Sequence, residues 1–184
     1  MFSTRSCLLI ISCACFMVSS TSATDCPSLW TRFNKQCYRY FGYRMSWHDA
    51  ESYCNNFSPP SNTENNQIAH LVAVNSFDEQ NFMYKYWESS RESSNSVSNL
   101  MWVGFYKPTG TNYFQWSNRD DVVYTNWDTN RPNNIGGNED CVEMWEGQGQ
   151  LDPHKIKSWN DRPCEHKMSF MCEMKMWSFT KGWL

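Results

Sequence analysis

Cysteine placement limits this chain more tightly than any other feature. Of its nine cysteines, Cys7, Cys13 and Cys15 sit in an N-terminal apolar run. The other six are Cys26, Cys37, Cys54, Cys141, Cys164 and Cys172. An even number in an exported chain reads as a disulfide framework, and a zinc site would need paired C-x₂₋₄-C or histidine spacings that this sequence lacks. Export is expected from the start of the chain. Arg5 precedes the apolar stretch from Cys7 to Val18, and Thr21-Ser22-Ala23 supplies small residues for cleavage. Residues 1–23 therefore read as a signal peptide. The run is shorter than the about 20 apolar residues that span a bilayer, so a secreted, extracellular chain with no transmembrane segment is expected. Without Arg5, fifteen of the sixteen basic residues face nineteen acidic ones. That mild acidity excludes a nucleic-acid binder, which needs a basic stripe to neutralise phosphates. About 160 remaining residues fit one domain.

The early part of that domain reads as helical and the later part as strands, an α+β pattern. Cys37 to Phe41 is an aromatic strand bounded by Gly42. Ser46 can cap a helix from Trp47 to about Cys54, with Asp49 at the capping-box position and Trp47, Ala50 and Cys54 on one face. Asn55 to Gln67 is a polar loop, and Asn56-Phe57-Ser58 within it is a glycosylation acceptor pattern, followed directly by Pro59. Ile68 to Val74 is a short apolar run. Ser76 can cap a second helix from Phe77 to Trp87, with Phe77, Phe82 and Tyr86 at core spacing. The serine-rich stretch from Glu88 to Asn99 reads as a loop. Strands are expected at Met101–Tyr106, Tyr113–Trp116, Val122–Tyr124, Cys141–Trp145, Ser158–Trp159 and Ser169–Glu173. The aromatics are expected chiefly in the core, Trp145 and Trp159 included.

Thr125 to Glu139 is long and has no periodicity, and such loops in small domains are usually functional. Its segment WDTNRPNNIGGNEDC crowds amides and carboxylates around two glycines. Asn133 and Glu139 lie on this loop, and Asn160 and Asp161 follow the strand ending at Trp159. Oxygen donors of this kind suit Ca²⁺, which takes six to eight of them at about 2.4 Å.

The order of Cys37-Tyr-Arg-Tyr-Phe41, Trp47 to Cys54, Trp102-Val103-Gly104-Phe105, Arg131-Pro132-Asn133, Glu139-Asp140-Cys141 and Trp159-Asn160-Asp161 with Cys164 resembles the C-type lectin-like family. The resemblance spans Cys26 to about Met174. Within the family the chain looks most like echinoidin-type lectins of marine invertebrates. Trp102-Val-Gly-Phe105 stands where the family usually has Trp-Ile-Gly-Leu. The resemblance implies two helices flanking antiparallel sheets with a long irregular loop, in a domain over residues 24–174 followed by an aromatic tail, 175–184. It implies the bridges Cys54–Cys172, Cys141–Cys164 and Cys26–Cys37, a choice that the cysteine spacing alone leaves open among fifteen pairings. It also implies one calcium ion held by Asn133, Glu139, Asn160 and Asp161. Two neighbouring sugar hydroxyls would bind that ion, and the same side chains would hydrogen-bond them. The proline peptide of the triplet is typically cis in the family. The function implied is a secreted, non-enzymatic lectin for glycans on microbes or host cells, with a role in innate defence.

One residue departs from that pattern. The first triplet position usually holds Glu or Gln, and here it is Arg131, which has no acceptor atom. A unit charge about 4 Å from a divalent ion costs roughly 8 kcal/mol at an effective dielectric of 20. Swung to about 8 Å in near-aqueous surroundings it costs only about 1 kcal/mol. Arg131 therefore weakens the site if it points outward and abolishes it if it points inward. A third arrangement pairs it with Glu139 or Asp161, ordering the loop without metal. Arg131 keeps open a rival function, in which the fold binds a protein, mineral or ice surface without calcium. A second family ion site is not expected, because Tyr106 to Ser117 has no acid, Asn134 is neutral and Asp140 reads as structural. The loop Gly147 to Lys157 reads as solvated, with His154, Lys155 and Lys157. The tail, with Trp177, Phe179 and Trp183, is expected to pack as an edge strand or to join a second copy in a homo-oligomer.

Overall fold

The computed structural model describes residues 24–58, 68–90, 100–145 and 157–178. Residues 1–23, expected as a signal peptide, lie outside them. Among the described residues no helix is long and apolar enough to cross a membrane.

The strands are β1 (Thr24–Asp25), β2 (Thr31–Phe33), β3 (Gln36–Met45), β4 (His70–Leu71), β5 (Leu100–Tyr106), β6 (Gln115–Trp116), β7 (Cys141–Trp145), β8 (Trp159–Arg162), β9 (Met168–Lys175) and β10 (Trp177–Ser178). The helices are α1 (Trp47–Cys54) and α2 (Phe77–Ser90). The main sheet runs β2-β3-β9-β5-β7-β8, with β4 on β9 and β6 on β5. Its pairs are antiparallel except β5 with β9, which is parallel, so the sheet is mixed where an antiparallel one is expected. β1 and β10 form a separate ribbon that joins the first described residues to Trp177–Ser178 of the tail. The tail's edge-strand reading therefore holds for those two residues, while residues 179–184 lie outside the described part.

Each helix starts on the expected cap. Ser46 Oγ accepts the Asp49 N–H at 3.3 Å and donates to Asp49 Oδ2 at 2.7 Å. Ser76 Oγ accepts the Glu79 N–H at 3.2 Å. α1 buries Trp47, Ala50 and Cys54, as expected. α2 differs. Phe77 is 47% exposed, and the inner face is Glu79, Gln80, Met83 and Trp87. Two polar residues turn inward there because both find partners. Gln80 donates to Lys157 O (2.9 Å) and accepts Trp159 Nε1–H (3.0 Å), while Glu79 accepts the Tyr38 hydroxyl. α2 also runs on to Ser90, into the stretch expected as loop.

The apolar residues form two clusters. One gathers Phe41, Trp47, Leu71, Trp102 and Phe170 around the cysteines. The other gathers Met83, Trp87, Val103, Phe105, Trp116 and Trp159. Two buried indole N–H groups are satisfied by backbone: Trp47 donates to Val103 O (2.8 Å) and Trp102 to Met45 O (3.1 Å). Gly104 sits where a side-chain carbon would fall 2.4 Å from Leu71 O, so only glycine lets β5 approach that backbone. Val122 and Val123, expected in a strand, are 45% and 71% exposed and form none. Lys157, expected in a solvated loop, is buried with its ammonium over the Tyr84 and Trp87 rings. His154 and Lys155 lie outside the described residues.

Three disulfides tie the layers: Cys26–Cys37, Cys54–Cys172 and Cys141–Cys164. They are the pairs the family resemblance implies.

Candidate functional site

The long loop is anchored at both ends. At its start, Trp127 bridges to Trp159, Trp159 N–H donates to Asn126 O (2.7 Å) and Asp128 N–H to Trp159 O (3.0 Å). At its end, Cys141 begins β7 and is bonded to Cys164 just after β8. Asn130, Asn134, Gly136 and Gly137 all take positive φ, conformations that asparagine and glycine tolerate best. The Arg131–Pro132 peptide is cis.

Within this frame two of the expected ligands, Asn133 and Asp161, are joined directly, while Glu139 and Asn160 bond to other neighbours. Asp161, fully buried, accepts the Asn133 N–H at 3.0 and 2.9 Å and the Asn134 N–H at 2.6 Å. Glu139 Oε2 accepts the Ile135 N–H at 2.7 Å, and the Glu139 N–H donates to Asn134 Oδ1 at 3.0 Å. Asn133 is exposed while Glu139, Asn160 and Asp161 are buried. Asn160 stands directly opposite Glu143 in the β7–β8 register and donates to its Oε1 at 2.8 Å. Asn160 Oδ1 is buried with no hydrogen-bond partner.

Arg131 is turned to Trp145. Its guanidinium lies over the Trp145 ring, 5.8 Å from the centroid, and among the described residues it pairs with neither Glu139 nor Asp161. Asp140 is claimed elsewhere, by Lys107 Nζ at 2.6 Å. The donor set fits a hard cation. It offers two carboxylates and two amide oxygens, and one of the latter is buried without a donor, an arrangement costly unless something positive faces it.

Glu143 was not among the residues the sequence suggested. It is fully buried, accepts Arg162 Nε (3.0 Å) and Nη2 (2.7 Å), and burial pushes its carboxyl above the usual range against the pull of Arg162. The signal for it was an acid inside the apolar strand Val142-Glu143-Met144. Only the strand register reveals that Asn160 and Arg162 are its partners.

A second group of acids lies under α2. Glu173 of β9 is buried and accepts Asn118 Nδ2 at 2.8 Å, and the same amide nitrogen donates to Asp120 Oδ2 at 2.9 Å. Glu79 accepts the Tyr38 hydroxyl and the Asn75 N–H (2.7 Å). Burial, with Glu79 and Asp120 close by, pushes Glu173 well above the usual carboxylate range. Burial likewise raises Glu79. The same causes push the Tyr38 hydroxyl far up. His48 lies beside the Cys141–Cys164 sulfurs, but those atoms are bonded to each other and offer no thiolate to a metal. Asn56 is exposed after α1, with its amide nitrogen on Ser52 O (3.0 Å) and Tyr53 O (3.4 Å).

Fold and loop together define a disulfide-clamped domain that carries one anchored polar loop. The chain belongs to the C-type lectin family: the family model described as Lectin C-type domain matches residues 43–174. Echinoidin of Heliocidaris crassispina is 35% identical over 153 residues, covering 83% of this chain and 98% of that protein. An alpha-N-acetylgalactosamine-specific lectin of Patiria pectinifera is 32% identical over 146 residues, 79% of this chain and 78% of that one. Among solved structures, the C-type lectin CEL-I of Cucumaria echinata superposes with a TM-score of 0.69 at 26% identity, over 83% of this chain and 99% of its own.

Proposed function

We propose that the protein is a secreted lectin that recognises neighbouring hydroxyls of glycans through one calcium site on the long loop, in a setting of innate defence. Asn133, Glu139, Asn160 and Asp161 would hold the ion. The observation that carries this reading is Asn160 Oδ1, buried beside Asp161 with no donor to satisfy it. A calcium ion bound there supplies coordination positions for two adjacent sugar hydroxyls. The chain's own part is to fix direction. The Glu139 carboxylate can accept hydrogens from those hydroxyls, and the amides of Asn133 and Asn160 can donate to their oxygens. Asp161 holds the Asn133–Asn134 backbone in place through its three N–H contacts. Among the described residues Arg131 lies over Trp145 and pairs with neither Glu139 nor Asp161, which supports a weakened site over an abolished one.

A calcium-free reading is favoured by one observation. Asp161 and Glu139 already accept backbone N–H groups, so the loop is held without a cation. In that reading Arg131 and Trp145 form the contact surface for a protein, mineral or ice partner. A glycan array probed in calcium and again in EGTA separates the two. Binding that disappears in EGTA and returns with added calcium is expected. Glycan binding indifferent to the chelator, or no binding to any glycan, overturns the proposal.

A further inference from the structure

We infer that Glu143 is a positioning residue for sugar binding, because it fixes which end of the Asn160 amide faces the ligand cluster. The inference rests on the calcium-site reading above.

An asparagine amide is planar, with an oxygen that accepts on one side and a nitrogen that donates on the other. Flipping it exchanges an acceptor for a donor at the ligand, which turns attraction for a cation into repulsion. Something must therefore lock it. In this chain the lock is Glu143 Oε1. It receives Asn160 Nδ2 at 2.8 Å, Arg162 Nε at 3.0 Å and Arg162 Nη2 at 2.7 Å. An oxygen receiving three N–H groups has no hydrogen to offer. A flipped Asn160 would set Oδ1 against it, two acceptors in contact inside a buried site, a costly arrangement.

The lock is built by strand register. Glu143 and Asn160 are direct partners across β7 and β8, and Arg162 lies two residues beyond Asn160 on the same face. Glu143 has no exposure at all and Asn160 only 4%, so water does not compete for these bonds. Oδ1 is left as a bare acceptor. The second amide hydrogen of Asn160 remains available for a hydroxyl. One orientation thus serves both halves of the proposed recognition.

The test uses the full mature chain and the variant Glu143→Gln, which keeps the shape and lets the new amide donate to Asn160. In the wild type in EGTA, the Asn160 side-chain N–H signals are expected to exchange with solvent at least about tenfold more slowly than those of exposed asparagines. Glu143→Gln is expected to abolish that protection and to weaken calcium binding about tenfold by titration calorimetry, as loss of a ligand's supporting partner does. Asn160 signals in the wild type that exchange as fast as exposed ones overturn the inference without any variant. So does a Glu143→Gln protein with unchanged calcium affinity. A wild type that takes up no calcium overturns the site reading instead, and the inference with it.

Discussion

Two oxygen-rich regions of this domain use the same groups to opposite ends. On the long loop, Asp161 and Glu139 accept backbone N–H groups and so hold the loop's turn in place. Under α2, Glu173 and Glu79 face each other and Asp120 in a buried setting, and their ionisation is opposed. Both regions leave a buried acceptor without a hydrogen-bond partner, Asn160 Oδ1 on the loop side and Glu173 Oε2 under α2, and they differ in the charges that surround it. The helix arrangement ties α2 to β3 and β9 through Tyr38 and Asn118, and holds Glu173 nearer its neutral form. Carboxylate count alone therefore says little about a ligand site. The donors around each oxygen decide.

The contrast can be broken at each region's disulfide, where the largest effects are expected. Cys54–Cys172 closes 118 residues next to Glu173, and Cys141–Cys164 closes 23 beside the loop. Replacing the first pair with alanine is expected to cost about 4 kcal/mol in denaturant unfolding, and the second about 3 kcal/mol. Only the second is expected to reduce calcium affinity beyond what the stability loss explains. Next in size, Asp161→Asn removes a charged ligand and one of the acceptors for the Asn133 and Asn134 N–H groups. Calcium affinity is expected to fall by about 100-fold or more in calorimetry.

The helix region should respond in the other direction. A carboxyl raised in the folded state binds its proton more tightly there than in the unfolded chain. The stability it contributes is fully present at low pH and is lost as pH climbs from the ordinary carboxylate value through the raised one. Glu173→Gln removes that loss, so it is expected to stabilise by about 1 kcal/mol near pH 7 and by nearly nothing near pH 3. Thermal unfolding at the two pH values measures this; equal effects at both would show that burial does not oppose the charge. An effect of comparable size, read on calcium affinity, is expected of Arg131→Glu, which removes a positive charge and adds an acceptor. Calcium affinity should rise about tenfold, and no rise would mean that the loop does not bring position 131 to the ion.

Much of the frame was legible in the sequence because local chemistry and tertiary packing agree there. α1 begins and ends where Ser46, Asp49 and the apolar face place it, and β7 spans the Cys141–Trp145 segment expected as a strand. The reading failed where partners came from far away. The inner face of α2 holds Glu79 and Gln80 because Tyr38, Lys157 and Trp159 meet them, and no pattern within the helix shows that. Val122 and Val123 carry strand-forming side chains but have no strand beside them. At the loop, the candidate oxygen donors come from residue type and family order. Glu143 does not, since it reads as one polar residue in a strand until Arg162 and Asn160 are set across from it.

The Cys54–Cys172 bond has a mechanical consequence. β1 and β10 pair near the two ends of the domain, so tension between Thr24 and Ser178 first meets that short ribbon. Beyond it, the covalent path runs to Cys54, crosses the sulfur bridge and leaves through Cys172. Everything from residue 55 to residue 171 hangs off that path as a closed side branch, the long loop and β8 included. A molecule gripping the loop while the chain is pulled by its ends would thus feel no stretch passed along the backbone.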